Sequence, residues 1–164
     1  MGYTDFDKRM KSYEQGNRFI PLLPVIVRVD GKNFSRFTKE LDRPYCENLS
    51  KIFLAVTKNL VKQTNATIGY TQSDKISLIF YSDQHRKQIF FDDRRDKIIS
   101  VVSSLTTALF HKYRLVHLPN FKSDVLALFD CRANNYPNTL EAYNYLLWRE
   151  LDATKNVLYM ATSQ

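Results

Sequence analysis

The stretch that decides the fold is Pro24-Val25-Ile26-Val27-Arg28-Val29-Asp30-Gly31, a short β-branched run that breaks at an Asp-Gly pair. β-Branched residues favour extended backbone, and Asp and Gly are common in turns. The pattern therefore predicts a buried strand over residues 25–29 that ends in a turn at Asp30 and Gly31.

Helical and extended patterns alternate in the rest of the chain. Apolar stripes with a period near 3.6 predict helices, and short apolar runs bounded by polar residues predict strands. The predicted elements are, in order, a helix over residues 44–63, strands over 66–70 and 76–80, a helix over 94–113 and a strand over 125–130. The two middle strands flank Gln72-Ser73-Asp74-Lys75, so we expect a hairpin that carries Asp74 at its tip.

A third long helix is predicted to begin near Asn138. The Asn138 side chain can cap the helix, and Glu141 lies three residues later, as in a capping box. We expect part of the buried face of this helix to comprise Leu140, Tyr143, Leu147 and Leu151.

The order up to the fourth strand is βαββαβ, which predicts an α+β, ferredoxin-like domain with an antiparallel sheet and helices on one face. We expect one such domain over residues 1–164. In this topology the first and third strands are neighbours. Asp30 and Asp74 should then lie at one edge of the sheet, although they are distant in sequence.

Composition narrows the class of protein further. The chain has 164 residues, of which 44% are hydrophobic, and a formal net charge of +7, which suits a globular domain and favours a polyanionic partner such as nucleic acid or nucleotide phosphates. Ordinary solubility chemistry is the alternative explanation of the charge. Residues 1–18 are too charged for a signal peptide or a membrane span, so no membrane partner is expected. Cys46 and Cys131 do not form a zinc or disulfide pattern, and we expect a reducing, cytoplasmic location.

Asp30 and Asp74 are candidate metal ligands. Carboxylate and carbonyl oxygens at a turn suit Mg²⁺, which takes its further ligands from substrate phosphates. Two such ions can stabilise both oxygens of a phosphoryl transfer. The alternative is that both residues only cap turns, which is a common role of Asp.

Basic residues at the starts of the first and second predicted helices are candidate phosphate ligands. The candidates are Arg43, Arg94, Arg95 and Lys97. Arg94 and Lys97 are three residues apart and would share a helix face near an N-terminus, where the helix dipole favours anions. A solvated surface beside Asp92, Asp93 and Asp96 is the alternative.

Four blocks of the sequence stand out by their order: RVDGKNFSRF at 28–37, YTQSD at 70–74, FDCR at 129–132 with Tyr136-Pro137, and NYLLWR at 144–149 with NVLY at 156–159. Together these blocks resemble the tRNA-histidine guanylyltransferase family. The resemblance implies a palm domain like that of DNA polymerases, which adds nucleotides to the 5′ end of an RNA in the 3′–5′ direction. In the family, ATP activates a 5′-monophosphate, and the 3′-hydroxyl of an incoming GTP then attacks it; related proteins repair 5′-truncated tRNAs.

The resemblance also assigns roles to individual residues. It implies two Mg²⁺ ions, ATP and GTP as substrates, tRNA as partner, and a homo-oligomer that is a dimer or a tetramer. The catalytic metal ligands would be Asp30 and Asp74, with the Gly31 carbonyl as a further ligand. The nucleotide-binding residues would be Lys32, Asn33, Phe34, Arg43, Ser73, Arg94 and Lys97. The RNA-binding residues would be Arg132 and Arg149, whereas Trp148 is expected to pack.

Some positions depart from the family pattern. Lys75 stands where the family usually has Glu, which would either weaken metal binding or place an ammonium group on phosphate oxygens. Thr154 replaces a His, and the chain stops soon after Tyr159, where family members usually continue, so we expect a shortened C-terminal region. Two further hypotheses therefore accompany the nucleotidyltransferase: a non-catalytic nucleotide- or RNA-binding module, and a palm similar to a nucleotide cyclase.

Overall fold

The computed structural model describes residues 2–14, 16–39, 41, 47–83, 92, 94–122 and 124–162, with side chains as far as Ala153. The helices are α1 (Tyr3–Tyr13), α2 (Phe34–Phe37), α3 (Glu47–Thr64), α4 (Arg95–His117) and α5 (Thr139–Thr162), and the strands are β1 (Val25–Lys32), β2 (Ile68–Gln72), β3 (Lys75–Phe80) and β4 (Leu128–Asn135). The predicted roles of Arg43 and Cys46, and the side chain of Thr154, lie outside the described residues.

The four strands form one antiparallel sheet in the order β2-β3-β1-β4. This order and the α+β class confirm the ferredoxin-like prediction, including the pairing of the first strand with the third. Asp30 of β1 lies opposite Lys75 of β3, so the pairing of β1 with β3 stops where the β2–β3 hairpin turns. The predicted turn at Asp30 and Gly31 was wrong, because β1 continues to Lys32 by pairing with Phe129 and Leu128 of β4.

Alternation along β1 separates the two faces of the sheet. Val25, Val27 and Val29 are at most 1% exposed and belong to the main core, which α3 and α4 cover. Successive strand side chains point to opposite faces, so Arg28 and Asp30 lie on the other face. We call it the α5 face, because Ala142 and Tyr145 of α5 pack there against Ile26 and Ile79.

Five phenylalanines fill the main core beside the end of β1. Their ring centroids lie 5.4–6.1 Å apart in most pairs, in tilted and edge-on geometries that aromatic pairs prefer. The members are Phe34, Phe37, Phe53, Phe110 and Phe129. The cluster joins α2, α3, α4 and β4, and so holds the turn after β1 against the helical layer.

The predicted fourth strand is present, but its bounds of 125–130 were placed too early in the chain. β4 begins at Leu128 and extends to Asn135, whereas residues 125–127 precede it and the Leu126 side chain is 77% exposed. Phe129 and Ala133 of this edge strand are buried, whereas the second half of the strand is mostly polar. The continuous apolar run therefore covered the loop and only the first residues of the strand.

The predicted buried face of the last helix was also wrong. Leu140, Tyr143 and Leu151 are 58–70% exposed, and Leu147 is 39% exposed. The helix instead packs on the sheet through a narrow stripe around Ala142 and Tyr145. The predicted cap is present, because the Glu141 N–H donates to Asn138 Oδ1 at 2.8 Å. The Glu141 carboxylate accepts a hydrogen bond from Asn144.

Among the described residues, none of the helices combines the length and the apolar character that crossing a bilayer requires.

Truncation of Phe110 tests the aromatic cluster. Phe110 is 1% exposed and contacts four other rings, so Phe110→Ala should lower the free energy of unfolding by about 3–5 kcal/mol. Urea titration followed by circular dichroism measures this loss. Tyr3→Ala, at a side chain that is 83% exposed, is the matched control and should change stability by less than about 0.5 kcal/mol. Equal losses in the two variants would contradict the packing described.

Cysteine alkylation tests whether the core-facing side of β4 is buried. Burial, with a smaller contribution from the Asp130 carboxylate, raises the pKa of the Cys131 thiol to about 12. In a Cys46→Ser background, only about one Cys131 in ten thousand is then a thiolate at pH 8, so iodoacetamide should react about a thousandfold more slowly than with a free thiol. The rate should rise about tenfold per pH unit between pH 8 and 10. A rate at pH 8 equal to that of the urea-unfolded chain would contradict this placement.

Candidate metal and nucleotide site

Asp30 and Asp74 meet at one edge of the sheet, as the topology predicted. The Gly31 N–H donates to the Asp74 carbonyl oxygen at 3.0 Å, which joins the end of β1 to the tip of the hairpin. The Asp74 carboxylate lies so close to Gly31 that a Cβ atom there would be 2.8 Å from Asp74 Oδ2. Strand pairing and one backbone hydrogen bond thus set the positions of both carboxylates.

Local backbone geometry explains the sharp turn at Ser73 and the glycine at position 31. Ser73 has φ 53°, so its backbone takes the left-handed conformation that tight two-residue hairpin turns require. The residue is exposed beside Asp74. At position 31 a Cβ would also lie 2.8 Å from the Phe34 Cβ. Glycine is required there by close approach of neighbouring atoms.

Two cations of the chain already contact the carboxylates. Lys75 Nζ lies 3.3 Å from Asp74 Oδ1 and 3.8 Å from Asp30 Oδ1. Arg28 Nε lies 3.1 Å from Asp30 Oδ2. The Asp30 and Asp74 side chains are only 15% and 18% exposed, so these ion pairs are screened less than surface pairs are.

Arg28 is a site residue that the sequence interpretation missed. It lies two positions before Asp30 on β1, and residues at this spacing share a face of a sheet. Its guanidinium also lies 5.7 Å from the ring of Trp148 in α5. The period of the strand was the signal that could have identified it.

Arg149 supports the same part of α5. Arg149 is 3% exposed, and its guanidinium carbon lies 3.6 Å from the centroid of the Trp148 ring. The guanidinium also pairs with the Asp152 carboxylate at 3.4 Å. Trp148 is 49% exposed and edge-on to Tyr145, so it packs on one side and faces solvent on the other. RNA binding by Arg149 stays a prediction, and its guanidinium is covered in this structure.

The edge strand β4 adds further charges beside Asp30. Asp130 lies directly opposite Asp30 in the register, and Arg132 lies opposite Arg28. Directly opposed side chains share a face, with Cβ atoms about 4.5–5.5 Å apart. Both residues of β4 are exposed. The role of Arg132 in binding RNA stays a prediction, and its exposure leaves the guanidinium accessible.

Tyr145 anchors α5 to the middle of the α5 face. Its hydroxyl shares a 2.8 Å hydrogen bond with the Ser77 hydroxyl of β3. Burial raises the pKa of Tyr145, and the hydrogen bond to Ser77 and the nearby Arg28 and Arg149 guanidinium groups oppose that shift. The phenol therefore stays neutral at physiological pH and acts as a fixed hydrogen-bonding group.

The donor set fits Mg²⁺ bound together with phosphate. Both Oδ1 atoms face one ammonium group, so the geometry already accommodates a shared cation. No cluster of three or more His, Cys, Asp or Glu side chains suited to a metal occurs in the described part of the chain. Two carboxylates and a carbonyl suit Mg²⁺, which takes its remaining ligands from water and substrate, better than they suit an ion that needs a complete protein cage.

The turn after β1 presents the next three predicted nucleotide ligands. Lys32 and Asn33 are exposed, and Asn33 has φ 53° where the chain enters α2. Phe34 is 6% exposed and belongs to the aromatic cluster. Its ring therefore fixes the turn from inside, while Lys32 and Asn33 face outward.

Arg94 and Lys97 lie away from Asp30 and Asp74. They line a cleft of about 610 Å³ together with residues of α1 and the loop that follows it. The neighbouring Arg95 donates to Asn134, which is four residues from Asp130 along β4, or about 13 Å. The structure therefore places Arg94 and Lys97 at the opposite end of the sheet from Asp30. Their role as triphosphate ligands stays a prediction.

Similarity to known proteins identifies the family of this chain. The profile of the tRNA(His) guanylyltransferase family matches residues 7–137. The chain is 32% identical to the tRNA(His) guanylyltransferase of Saccharomyces cerevisiae over 161 residues, covering 93% of this chain and 65% of that protein. It spans about half to two thirds of the length of the curated relatives it matches.

Solved structures give the same result. A bacterial tRNA(His) guanylyltransferase-like protein in complex with GTP superposes with a TM-score of 0.87 at 34% identity, over 96% of this chain and 75% of that one. A bacterial protein of the same description in complex with ATP gives 0.84 at 35% identity, over 92% and 66%. The family profile that matches residues 7–137, together with the shared fold, shows that this chain belongs to the tRNA(His) guanylyltransferase family.

Proposed function

We propose that this protein is an Mg²⁺-dependent nucleotidyltransferase that adds a GTP-derived nucleotide to the 5′ end of a tRNA, in the 3′–5′ direction. The observation that carries the proposal is that Asp30 and Asp74 converge beside Gly31, where both carboxylates pair with the ammonium group of Lys75. Relatives bound to GTP and to ATP support the choice of nucleotides. The reaction would be tRNA-histidine guanylylation or repair of a tRNA 5′ end.

The carboxylates and the Gly31 carbonyl would hold two Mg²⁺ ions, which supply charge stabilisation for the attacking and leaving oxygens of a phosphoryl transfer. Asp30 is oriented for this role by Arg28, and Asp74 by the hairpin turn and Gly31. Little else is required of the protein beyond positioning and positive charge.

The remaining groups would bind nucleotide and RNA. Lys32 and Asn33 would contact phosphates from the turn, and Ser73 would do so from the hairpin tip. Arg132 would contact the RNA backbone from the exposed edge strand, where a cation strengthens binding in a salt-dependent way. A dimeric or tetrameric assembly and a cytoplasmic location stay predictions from the sequence.

Substitution of the carboxylates tests the proposal. The assay incubates the protein with labelled GTP, ATP, Mg²⁺ and a 5′-truncated tRNA. Asp30→Asn and Asp74→Asn keep the shape of each side chain but remove its charge. Each should reduce the rate of 5′ extension by more than about a hundredfold, because loss of a metal ligand costs more than loss of a residue that only supports a ligand. Asp83→Asn, an exposed carboxylate beyond the far end of β3, is the control and should retain activity.

The products separate the hypotheses. Extended tRNA supports nucleotidyl transfer, and normal rates in either variant would refute the two-carboxylate mechanism. Nucleotide binding without product would indicate a non-catalytic module. Cyclic nucleotide would indicate a cyclase-like palm.

A methyl group at position 31 tests whether close approach matters. In Gly31→Ala the new Cβ would lie 2.8 Å from both Asp74 Oδ2 and the Phe34 Cβ, so the carboxylate must move. Misplacement of a reacting group by about 1 Å can cost a hundredfold in rate, and we expect a loss of this order. Gly2→Ala, with nothing within 4 Å of its Cβ, is the control. Unchanged activity in Gly31→Ala, with an unchanged melting temperature, would contradict the crowding described.

A further inference from the structure

Lys75 occupies the position that a shared metal ion would need. Its ammonium nitrogen lies 3.3 Å from Asp74 Oδ1 and 3.8 Å from Asp30 Oδ1, so it touches one oxygen of each carboxylate. The Lys75 side chain is 30% exposed. A divalent cation bound by the same two oxygens would therefore collide with the ammonium group or repel it.

The charges of the cluster are already balanced. Arg28 pairs with the second oxygen of Asp30, so two carboxylates face two cations of the chain itself. Both Asp side chains are less than a fifth exposed, which makes uncompensated charge unfavourable there. A divalent cation that displaced Lys75 would leave an ammonium group beside it without an anionic partner.

The ammonium group can move while the backbone cannot. Lys75 is paired with Asp30 in β1 and with Gln72 in β2, which fixes its Cα at the centre of the site. Its four-carbon stem is flexible, and the ammonium can present its donors in many directions. Nucleotide phosphates next to the metal would give it a new anionic partner.

We propose that Lys75 is a displaceable tethered cation that makes binding of a divalent cation conditional on nucleotide phosphate. This inference rests on the proposed function, because it needs the nucleotide beside Asp30 and Asp74. With phosphate present, the ammonium moves onto phosphate oxygens as the metal enters. Without phosphate, the metal competes with Lys75 and binds weakly. Coupling of this kind is reciprocal, so the metal strengthens nucleotide binding by the same factor.

Binding measurements on the full chain test this inference without relying on turnover. Isothermal titration with Mn²⁺ alone gives the metal affinity, and a fluorescent GTP analogue titrated with Mn²⁺ or with EDTA gives the coupling. Lys75→Met should bind Mn²⁺ alone at least about tenfold more tightly than the wild type, within the usual range of coupling factors. It should also show a smaller effect of Mn²⁺ on nucleotide affinity.

Three further variants isolate the cause. Lys75→Arg keeps the positive charge and should bind Mn²⁺ alone as weakly as the wild type. Lys75→Gln should behave like Lys75→Met, and it replaces that variant if its melting temperature is closer to the wild type. Lys51→Met removes the charge of another ion-paired lysine, on the exposed surface of α3, and should leave Mn²⁺ affinity unchanged.

The outcomes separate this inference from the proposed function. If Asp30→Asn and Asp74→Asn abolish Mn²⁺ binding but Lys75→Met leaves it within twofold of the wild type, the tethered-cation inference is overturned and the metal site stands. Tighter Mn²⁺ binding in Lys75→Arg would overturn it as well, because charge would not be the cause. If neither Asp variant changes Mn²⁺ binding, the two-carboxylate site fails, and the inference fails with it.

Discussion

The hydrogen bond from the Gly31 N–H to the Asp74 carbonyl is the interaction on which the rest of the site depends. It joins the end of β1 to a two-residue turn that lies more than 40 positions later in the chain. Because a side chain at position 31 would collide with Asp74 and Phe34, only glycine permits this approach. The aromatic cluster then fixes the turn from the core side, so the two carboxylates are held by packing as well as by strand pairing.

Placing acidic groups together at a partly covered sheet edge has an electrostatic consequence. Asp130 lies opposite Asp30 in the register, and like charges in directly opposed positions are unfavourable. Arg28 and Lys75, both from the strands of the site, compensate for this repulsion. The carboxylates of the site are therefore offset by cations of the same strands.

The apolar and polar patterns of individual elements explain which parts of the fold and of the site could be predicted from the sequence. β1 was predicted within a few residues because its β-branched run is bounded by Pro24 and Gly31, and the hairpin because its two strands flank a short polar turn. β4 and the face of α5 were misplaced because each buries only a narrow stripe: Leu126 and Leu140 are apolar yet exposed, whereas Arg149 is polar yet buried. Asp30 and Asp74 could be paired from topology alone. The contacts of Arg28 and Lys75 depend on side-chain conformation, which sequence patterns do not reveal.

Topology also explains why Arg94 and Lys97, which stood out in the sequence, do not lie beside the carboxylates. β3 starts at the hairpin tip and runs away from it, and α4 begins beside Asn134 at the other end of the sheet. Residues at the start of α4, including Arg94 and Lys97, are separated from Asp74 by about the length of a strand. Among the described residues, Arg28 and Lys75 reach the carboxylates from strand positions on the α5 face. Arg132 shares that face, and Lys32 is exposed at the end of β1 that carries Asp30.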